Sequence, residues 1–465
     1  MSRASEPAVL SDRLEDLLGL VIPCSCGRTH EVDLRSVSLR AGAIDELPDR
    51  LRALWGSGRR LLVLADRVTR QVAGERVERL LAADGQQSRT LVLPDGAGGR
   101  PHADEAGLER VEAAIEQGAA DGVVAVGAGT VNDLAKLASF RRGRPYAVVA
   151  TAPSMNGYTS AIAAVMRDGL KRTVDCHQPA CVIGDLEILA RAPAELVAAG
   201  LGDLESKPTS TADFRLAGRL RGEYYCPLPE RVVLRAEARV AEAAEAIGAG
   251  DEAAIGLLCE ALLLSGISMK LAGCSAPASG GEHLISHYWD MCAAEQGRVE
   301  GWHGAQVGVA TVVAAALYER LAEIDPHEID PDAVVAARPG KAQLQAAIRE
   351  RHGVRASEVE AEFFAKHLDD DALRAELESL LDGWSAVWDS LADVLRTAAR
   401  VRAILTAGGA PVTMTGLGLT PRHLQESFLA AREIRGRFSV LDLAGDLGVL
   451  ETVAGDVLAR SGCMR

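Results

Sequence analysis

Positive charge is what this chain lacks most plainly: 50 Lys and Arg stand against 65 Asp and Glu, for a net charge of -15. Without a basic excess there is no electrostatic footprint for a phosphate backbone, so nucleic acid is not an expected partner. Aromatic residues are also scarce, at 4%, within a hydrophobic content of 48%. The core must therefore be built from Ala, Leu and Val. No uninterrupted apolar run reaches the ~18–20 residues that would span a bilayer. The opening MSRASEPAVLSDRLEDLLGL has acidic residues where a secretion signal would have its apolar stretch. We therefore expect a cytoplasmic protein without a membrane partner. Nine cysteines are scattered rather than arranged as a disulfide framework, which points to reduced thiols. One cluster stands apart, CSCGRTH, with Cys24, Cys26 and His30. It suggests a small zinc site, but C-x-C lacks the usual two-residue gap and no second pair follows, so a short strand and a turn at Gly27 is the plainer reading.

A chain of 465 residues exceeds one compact core and predicts two domains or three. In its first third, short β-branched runs alternate with segments of helical period: RLLVLAD (60–66), RTLVLPD (89–95), DGVVAVGAGT (121–130) and YAVVATAP (146–153). This is the pattern of a parallel α/β sheet. After ACVIGD the strand signal stops, and from about residue 187 the chain reads as helices, DEAAIGLLCEALLLSGISMKLAG and ALRAELESLLDGWSAVWDSLADVLRTAARVRAIL being the clearest. The expectation is an N-terminal Rossmann-like α/β domain over 1–186 with an N-terminal arm, followed by an all-α domain over 187–465.

Two strand-to-helix junctions carry chemistry. Asp66 ends the first strand, where a carboxylate can hydrogen-bond ribose hydroxyls or simply cap the next helix. Gly127 and Gly129, in VGAGTVNDLAK, let phosphate oxygens approach backbone N–H groups at a helix N-terminus; a tight turn needing glycine for positive φ would look the same. TAPSMNGYTS follows a buried strand directly, the place where ligands gather in open α/β folds. Further on, GGEHLISHYWDM puts His283 and His287 one helical turn apart, with His303 following in GWHGAQVG. From spacing alone these are either metal ligands or an ordinary helix-face pair.

In order, GAGTVNDLAK, TAPSMNGYTS, AGLGDLESKP, GGEHLISHYWDM and HGAQVGVA resemble the glycerol-1-phosphate dehydrogenases, within the iron-containing (group III) alcohol dehydrogenases that also hold glycerol dehydrogenase and dehydroquinate synthase. REIRGRFSVLDLAGDLG looks like the bacterial branch. The resemblance implies a dehydroquinate synthase-like architecture and an enzyme that interconverts dihydroxyacetone phosphate and sn-glycerol 1-phosphate with NAD or NADP. It implies one divalent metal ion (Zn, Ni or Fe) on Asp203, His283 and His303, with His287 facing substrate rather than metal. It places Gly127, Ala128, Gly129, Thr130 and Val131 around the cofactor pyrophosphate, Thr151, Ala152, Pro153, Ser154 and Ser160 along the same ligand, and Asp66 near the adenine ribose. Asp66 disfavours a 2′-phosphate, an effect that Arg67 beside it would offset. Asn156 departs from the pattern, since many members have Asp there; Asn cannot act as a base, so proton transfer passes to His287. Asp203, His287 and Asn156 are thus the expected catalytic set. Lys207, Lys171 and Arg172 are candidates for a substrate phosphate, and a homo-oligomer is compatible with the family. Two other readings remain: a related dehydrogenase or a dehydroquinate synthase-type cyclase, and a silent binding protein that senses dinucleotide or polyol phosphate.

Overall fold

The computed structural model describes residues 13–465 apart from 168–169, 297 and 299–300. An antiparallel hairpin, β1 (Val21–Pro23) with β2 (Thr29–Glu31), precedes a six-stranded sheet. The sheet is made of β3 (Ser36–Arg40), β4 (Arg60–Asp66), β5 (Gln87–Leu93), β6 (Gly122–Gly127), β7 (Tyr146–Ala150) and β10 (Cys181–Asp185). Its order is β3-β10-β7-β6-β4-β5, parallel throughout. Both faces are buried: Leu62, Leu64, Val123, Ala125 and Val148 face one core, while Leu61, Val63, Val124, Val126 and Val149 face the other. Double burial explains why these strands read as continuous apolar runs rather than as alternating ones. β3 was not foreseen. SVSLR, at the sheet edge, is too short and polar to announce itself.

Between β7 and β10, β8 (Ile162–Arg167) and β9 (Leu170–Asp175) form a separate antiparallel pair that the sequence pattern does not announce. After Asp185 every described element is helical. The long helix expected over ALRAELESLLDGWSAVWDSLADVLRTAARVRAIL is broken into Asp370–Asp382, Trp384–Asp389 and Ala398–Ala407. Gly383 sits at the first break, and Thr397 starts the last piece by accepting the Arg400 N–H.

The helix Glu252–Ala272 is long and apolar enough to cross a membrane by length and composition, with a mean hydropathy of 1.7. Its residues are buried inside the protein instead, which makes it the central helix of the core. It touches the loop after β7 at Gly266, where any side chain would strike the Thr159 hydroxyl and the Asn156 carbonyl. The helices Ala194–Leu204 and His303–Ala322 meet just as closely. A Cβ on Gly202 would collide with the Gly304 carbonyl, and one on Gly304 with the Ala199 carbonyl. That seam of glycines brings Asp203 on one helix beside His303 at the start of the other.

Candidate functional site

Strands β4 and β5 run to one side of the sheet, and the chain then returns across β4 to place β6 on its other flank. The crevice beyond the carboxyl ends of β4 and β6 is thus a topological switch point, where open parallel sheets bind ligands. A cavity of about 750 Å³ opens there and extends to the helices that carry the histidines. Asp66, Ala128, Gly129, Thr130, Val131, Thr151, Ala152, Ser154 and Ser160 line it at the sheet end. Asn156, His283, His287 and His303 line it at the helical end. One space thus joins most of the expected residues.

The details differ from the expectation in several places. Asp66 caps its helix through a capping box with Thr69, its carboxylate accepting the Thr69 N–H at 2.7 Å, so the capping role is realised while the residue still borders the cavity. Neither Gly127 nor Gly129 has positive φ. Gly127 is needed for space, since a Cβ would lie 2.6 Å from that of Val131; at Gly129 an added Cβ would meet only Met155, at 3.8 Å. The missing side chain at Gly129 therefore opens room towards the cavity, with the N-terminus of helix Gly129–Arg141 behind it. Gly127 and Pro153 do not border the cavity: the Gly127 carbonyl accepts the Tyr158 hydroxyl, and the Pro153 carbonyl sits against Gly200. Ser160 borders it, but its hydroxyl is engaged by the buried Lys136 ammonium at 3.0 Å. Arg67 is drawn to Asp95 at 3.2 Å.

At the helical end, both oxygens of the fully buried Asp203 are occupied. The Asn156 backbone N–H donates to Oδ2 at 3.0 Å, and its side-chain amide to Oδ1 at 3.2 Å. Lys207 Nζ donates to Oδ1 at 2.9 Å, as well as to Ser206 and the Ala278 carbonyl. Lys207 is therefore a buried partner of Asp203 and not a phosphate ligand, which corrects the sequence reading. Arg172 pairs with Glu358 at 2.7 Å and does not border the large cavity, while the Lys171 side chain lies outside the described residues.

The three imidazoles stand with ring centroids 5.2 to 6.1 Å apart. His283 Nδ1 meets the Glu282 carboxylate at 2.8 Å; an acceptor there means that Nδ1 carries the proton and Nε2 a lone pair, aimed towards Asp203 Oδ1 at 3.8 Å. Burial, which favours the neutral ring, holds His283 below the ordinary histidine range against the opposing pull of Glu282. Ser286 donates its hydroxyl hydrogen to Gln306 Oε1, so it can only accept from His303 Nδ1, at 3.4 Å. A carboxylate with two imidazoles, each held through its far nitrogen, is chemistry that suits a divalent ion. Lys207 adds a positive charge beside Asp203. Among the described residues, three or more possible metal-ligand atoms come within 4.8 Å of one another only in a different cluster, at Cys24, Cys26, His30 and Cys226.

Behind His283, Glu282 faces a second carboxyl, Asp213, which accepts from the Gly281 and Val440 N–H groups and from Tyr318. Burial and then the Glu282 charge push Asp213 up to about 7. The sequence reading missed this support and, more importantly, the cations of the cavity wall: Arg435 and Arg437 border it beside Ser279 and His287. They come from REIRGRF, some 150 residues away, and no local spacing links them to the histidines.

A family model for iron-containing alcohol dehydrogenases matches residues 38–193. A glycerol-1-phosphate dehydrogenase [NAD(P)+] of Halalkalibacterium halodurans is 38% identical over 302 residues, 64% of this chain and 74% of the relative. Another, from Bacillus licheniformis, is 30% identical over 434 residues, covering 93% of this chain and 94% of the relative. Among solved structures, a probable glycerol dehydrogenase of Sinorhizobium meliloti aligns with a TM-score of 0.57 at 20% identity, over 93% of this chain and 98% of the other, a likeness of fold.

Proposed function

Because this chain belongs to the glycerol-1-phosphate dehydrogenase family of the iron-containing alcohol dehydrogenases, we propose that it interconverts dihydroxyacetone phosphate and sn-glycerol 1-phosphate by hydride transfer. The observation that carries this reading is the single cavity running from the Gly129 helix N-terminus to the three histidines. NAD or NADP would be held at the sheet end, by the N–H groups after β6 and by Asp66. Engagement of Arg67 by Asp95 draws that cation away from a 2′-phosphate, so NAD(H) is accepted at least as readily as NADP(H). Asp203, His283 and His303 are the residues that would hold a divalent ion. When bound, the ion draws electron density from the substrate carbonyl while the nicotinamide supplies the hydride.

The chain's own residues do the rest. Asn156 fixes both carboxylate oxygens of Asp203 through its backbone and side-chain N–H groups, so it positions the ligand instead of acting as a base. His287, one turn beyond His283 and bordering the same cavity, supplies the proton taken up by the substrate oxygen. Arg437 anchors the substrate phosphate, held in place by its bonds to Ser275 and the Ser279 carbonyl, with further N–H groups to spare. Arg435 lies beside it. The enzyme works in the cytoplasm on a small polyol phosphate.

The test is turnover with Zn²⁺, Ni²⁺ or Fe²⁺, NADH or NADPH, and dihydroxyacetone phosphate beside unphosphorylated dihydroxyacetone. Metal-dependent oxidation of the nicotinamide with the phosphorylated ketose is the expected result. Arg437→Ala should raise KM for that substrate by tenfold or more, in line with ~1.5–3 kcal/mol for a hydrogen bond to a charged group, and leave dihydroxyacetone kinetics unchanged. A protein inert to dihydroxyacetone phosphate with all three metals would overturn the reading.

A further inference from the structure

The β1–β2 hairpin, none of whose residues borders the substrate cavity, lies against the helical part. Gly27 takes positive φ in its turn (φ 85°), with the Gly27 N–H on the Cys24 carbonyl and the Cys24 N–H on the Arg28 carbonyl. The turn brings Cys24, Cys26 and His30 to one side. There they meet Cys226, the residue that precedes the helix Pro227–Glu242, two hundred positions along the chain. Cys24 Sγ is 3.7 Å from Cys226 Sγ; His30 Nε2 is 3.4 Å from Cys26 Sγ and 3.6 Å from Cys226 Sγ. All four donor atoms lie within 4.8 Å of one another.

These distances can be compared with the edges of a tetrahedron. With zinc–sulfur bonds of ~2.3 Å and zinc–nitrogen bonds of ~2.05 Å, tetrahedral angles put two sulfurs ~3.8 Å apart and a sulfur ~3.6 Å from a nitrogen. Three of the six edges of the cluster already have about those lengths, and the rest lie within 4.8 Å. His30 Nδ1 lies 2.5 Å from the Leu271 carbonyl, which can only accept, so Nδ1 carries the hydrogen and Nε2 presents its lone pair to the sulfurs. This is the arrangement a ligand histidine has, its far nitrogen fixed by a backbone carbonyl. Tyr224, whose hydroxyl is 3.6 Å from Cys26 Sγ, lies under the Arg28 guanidinium at 3.4 Å and closes the cluster on one side.

We propose that Cys24, Cys26, His30 and Cys226 bind one zinc ion in a closed, four-ligand site that fastens the N-terminal hairpin to the helices Pro227–Glu242 and Glu252–Ala272. Four protein ligands leave no position for substrate, so the ion is structural. Binding displaces the thiol protons to solvent and changes no oxidation state. The site is independent of the reading of the substrate cavity. The C-x-C spacing that argued against a finger-type site is no obstacle here, because the fourth ligand arrives from a distant helix and not from a second local pair.

Full-length protein purified under reducing conditions decides the matter through its metal content and its cobalt spectrum. His303→Ala, which removes a proposed ligand of the other metal, should keep one zinc per chain. Cobalt replacing that zinc should give the intense sulfur-to-cobalt charge-transfer absorption of a thiolate site, which Asp203 and histidines cannot produce. Cys226→Ser should lose both the zinc and the absorption. If that variant does not fold, Cys26→Ser, at a more exposed ligand, replaces it, and the spectrum of the unsubstituted chain stands on its own. Zinc-free protein with no sulfur–cobalt absorption would overturn the proposal, as would a Cys24–Cys226 disulfide found in the freshly purified chain.

Discussion

His283 and His303 each have Nδ1 turned to a neighbour, Glu282 and Ser286 respectively, the way a ligand histidine is held through its far nitrogen. His287 borders the cavity one turn from His283 and has no such place in the proposed ligand set. His283→Ala and His303→Ala should therefore lose bound metal together with activity, whereas His287→Ala should keep the metal and lose turnover. Metal analysis of the three variants separates these roles, and equal metal loss in His287→Ala would mean that the ligands are misassigned. Asn156 gives a second distinction. Its amide donates to Asp203 Oδ1, so Asn156→Asp sets two carboxylates against each other unless a cation lies between them. Without metal the variant should lose ~1–3 kcal/mol of stability, the cost of a lost partner for a buried charged group. With metal the loss should shrink, and turnover should change within about tenfold, or ~1.4 kcal/mol of barrier. Denaturant titrations with and without a chelator provide the comparison; identical losses in both would count against a metal beside Asp203.

At the scale of elements, the glycine seam between Ala194–Leu204 and His303–Ala322 sets the distance between Asp203 and His303. Gly202→Ala places a methyl group on the Gly304 carbonyl, and since both partners are backbone, neither can swing aside. We expect a loss of ~1–3 kcal/mol in stability from overpacking and weaker metal retention. A variant with wild-type metal content and wild-type melting would show that the seam has more freedom than its spacing allows. Such contacts were not legible in the sequence: AAGLGDLE and HGAQVGVA contain small residues, but nothing in either says that they meet. Strand runs buried on both faces were legible, because RLLVLAD and YAVVATAP carry a one-dimensional signal of two-sided burial. β3 and the β8–β9 pair lacked that signal and were missed. Of the expected ligands, His283 and His303 border the cavity and Asp203 does not, while Lys207, a candidate for substrate phosphate, is held inside by Asp203. Arg437 and Cys226 were invisible because their importance lies wholly in long-range contacts.

For the molecule as a whole, buried groups titrate with opposite signs. Burial, and then Lys136, lowers His177 to about 4; burial, and then Arg338, does the same to His367. A histidine whose folded pKa is depressed supports the fold fully above its unfolded value of ~6.5 and loses that support as pH falls towards the folded value. Asp213 and Glu376, each pushed up to about 7 first by burial, act in the reverse sense and lose stability as pH rises from the ordinary carboxyl range to that value. Because the two sets compensate between about pH 4 and 6.5, the wild-type curve alone is uninformative, and the difference between chains is what matters. His177→Gln retains a partner for Ser139, which lies 3.0 Å from the His177 ring, and removes one depressed group. Relative to wild type it should gain on the order of 2 kcal/mol as pH falls from 6.5 to 4. Parallel denaturation curves for the two proteins across that range would refute the assignment.

The wall of the cavity also carries a built-in optical probe. Trp302 borders it, partly exposed, with the Arg100 guanidinium 4.3 Å above its ring, so the two span the opening between the sheet side and the helical side. Of five tryptophans in the chain it alone borders this cavity; Trp289, by contrast, is sealed in the core. Reduced nicotinamide absorbs where tryptophan emits, so a cofactor bound in this cavity should quench Trp302 emission by energy transfer. Occupancy of the cavity can thus be followed by fluorescence in the unlabelled protein, before any substrate is added.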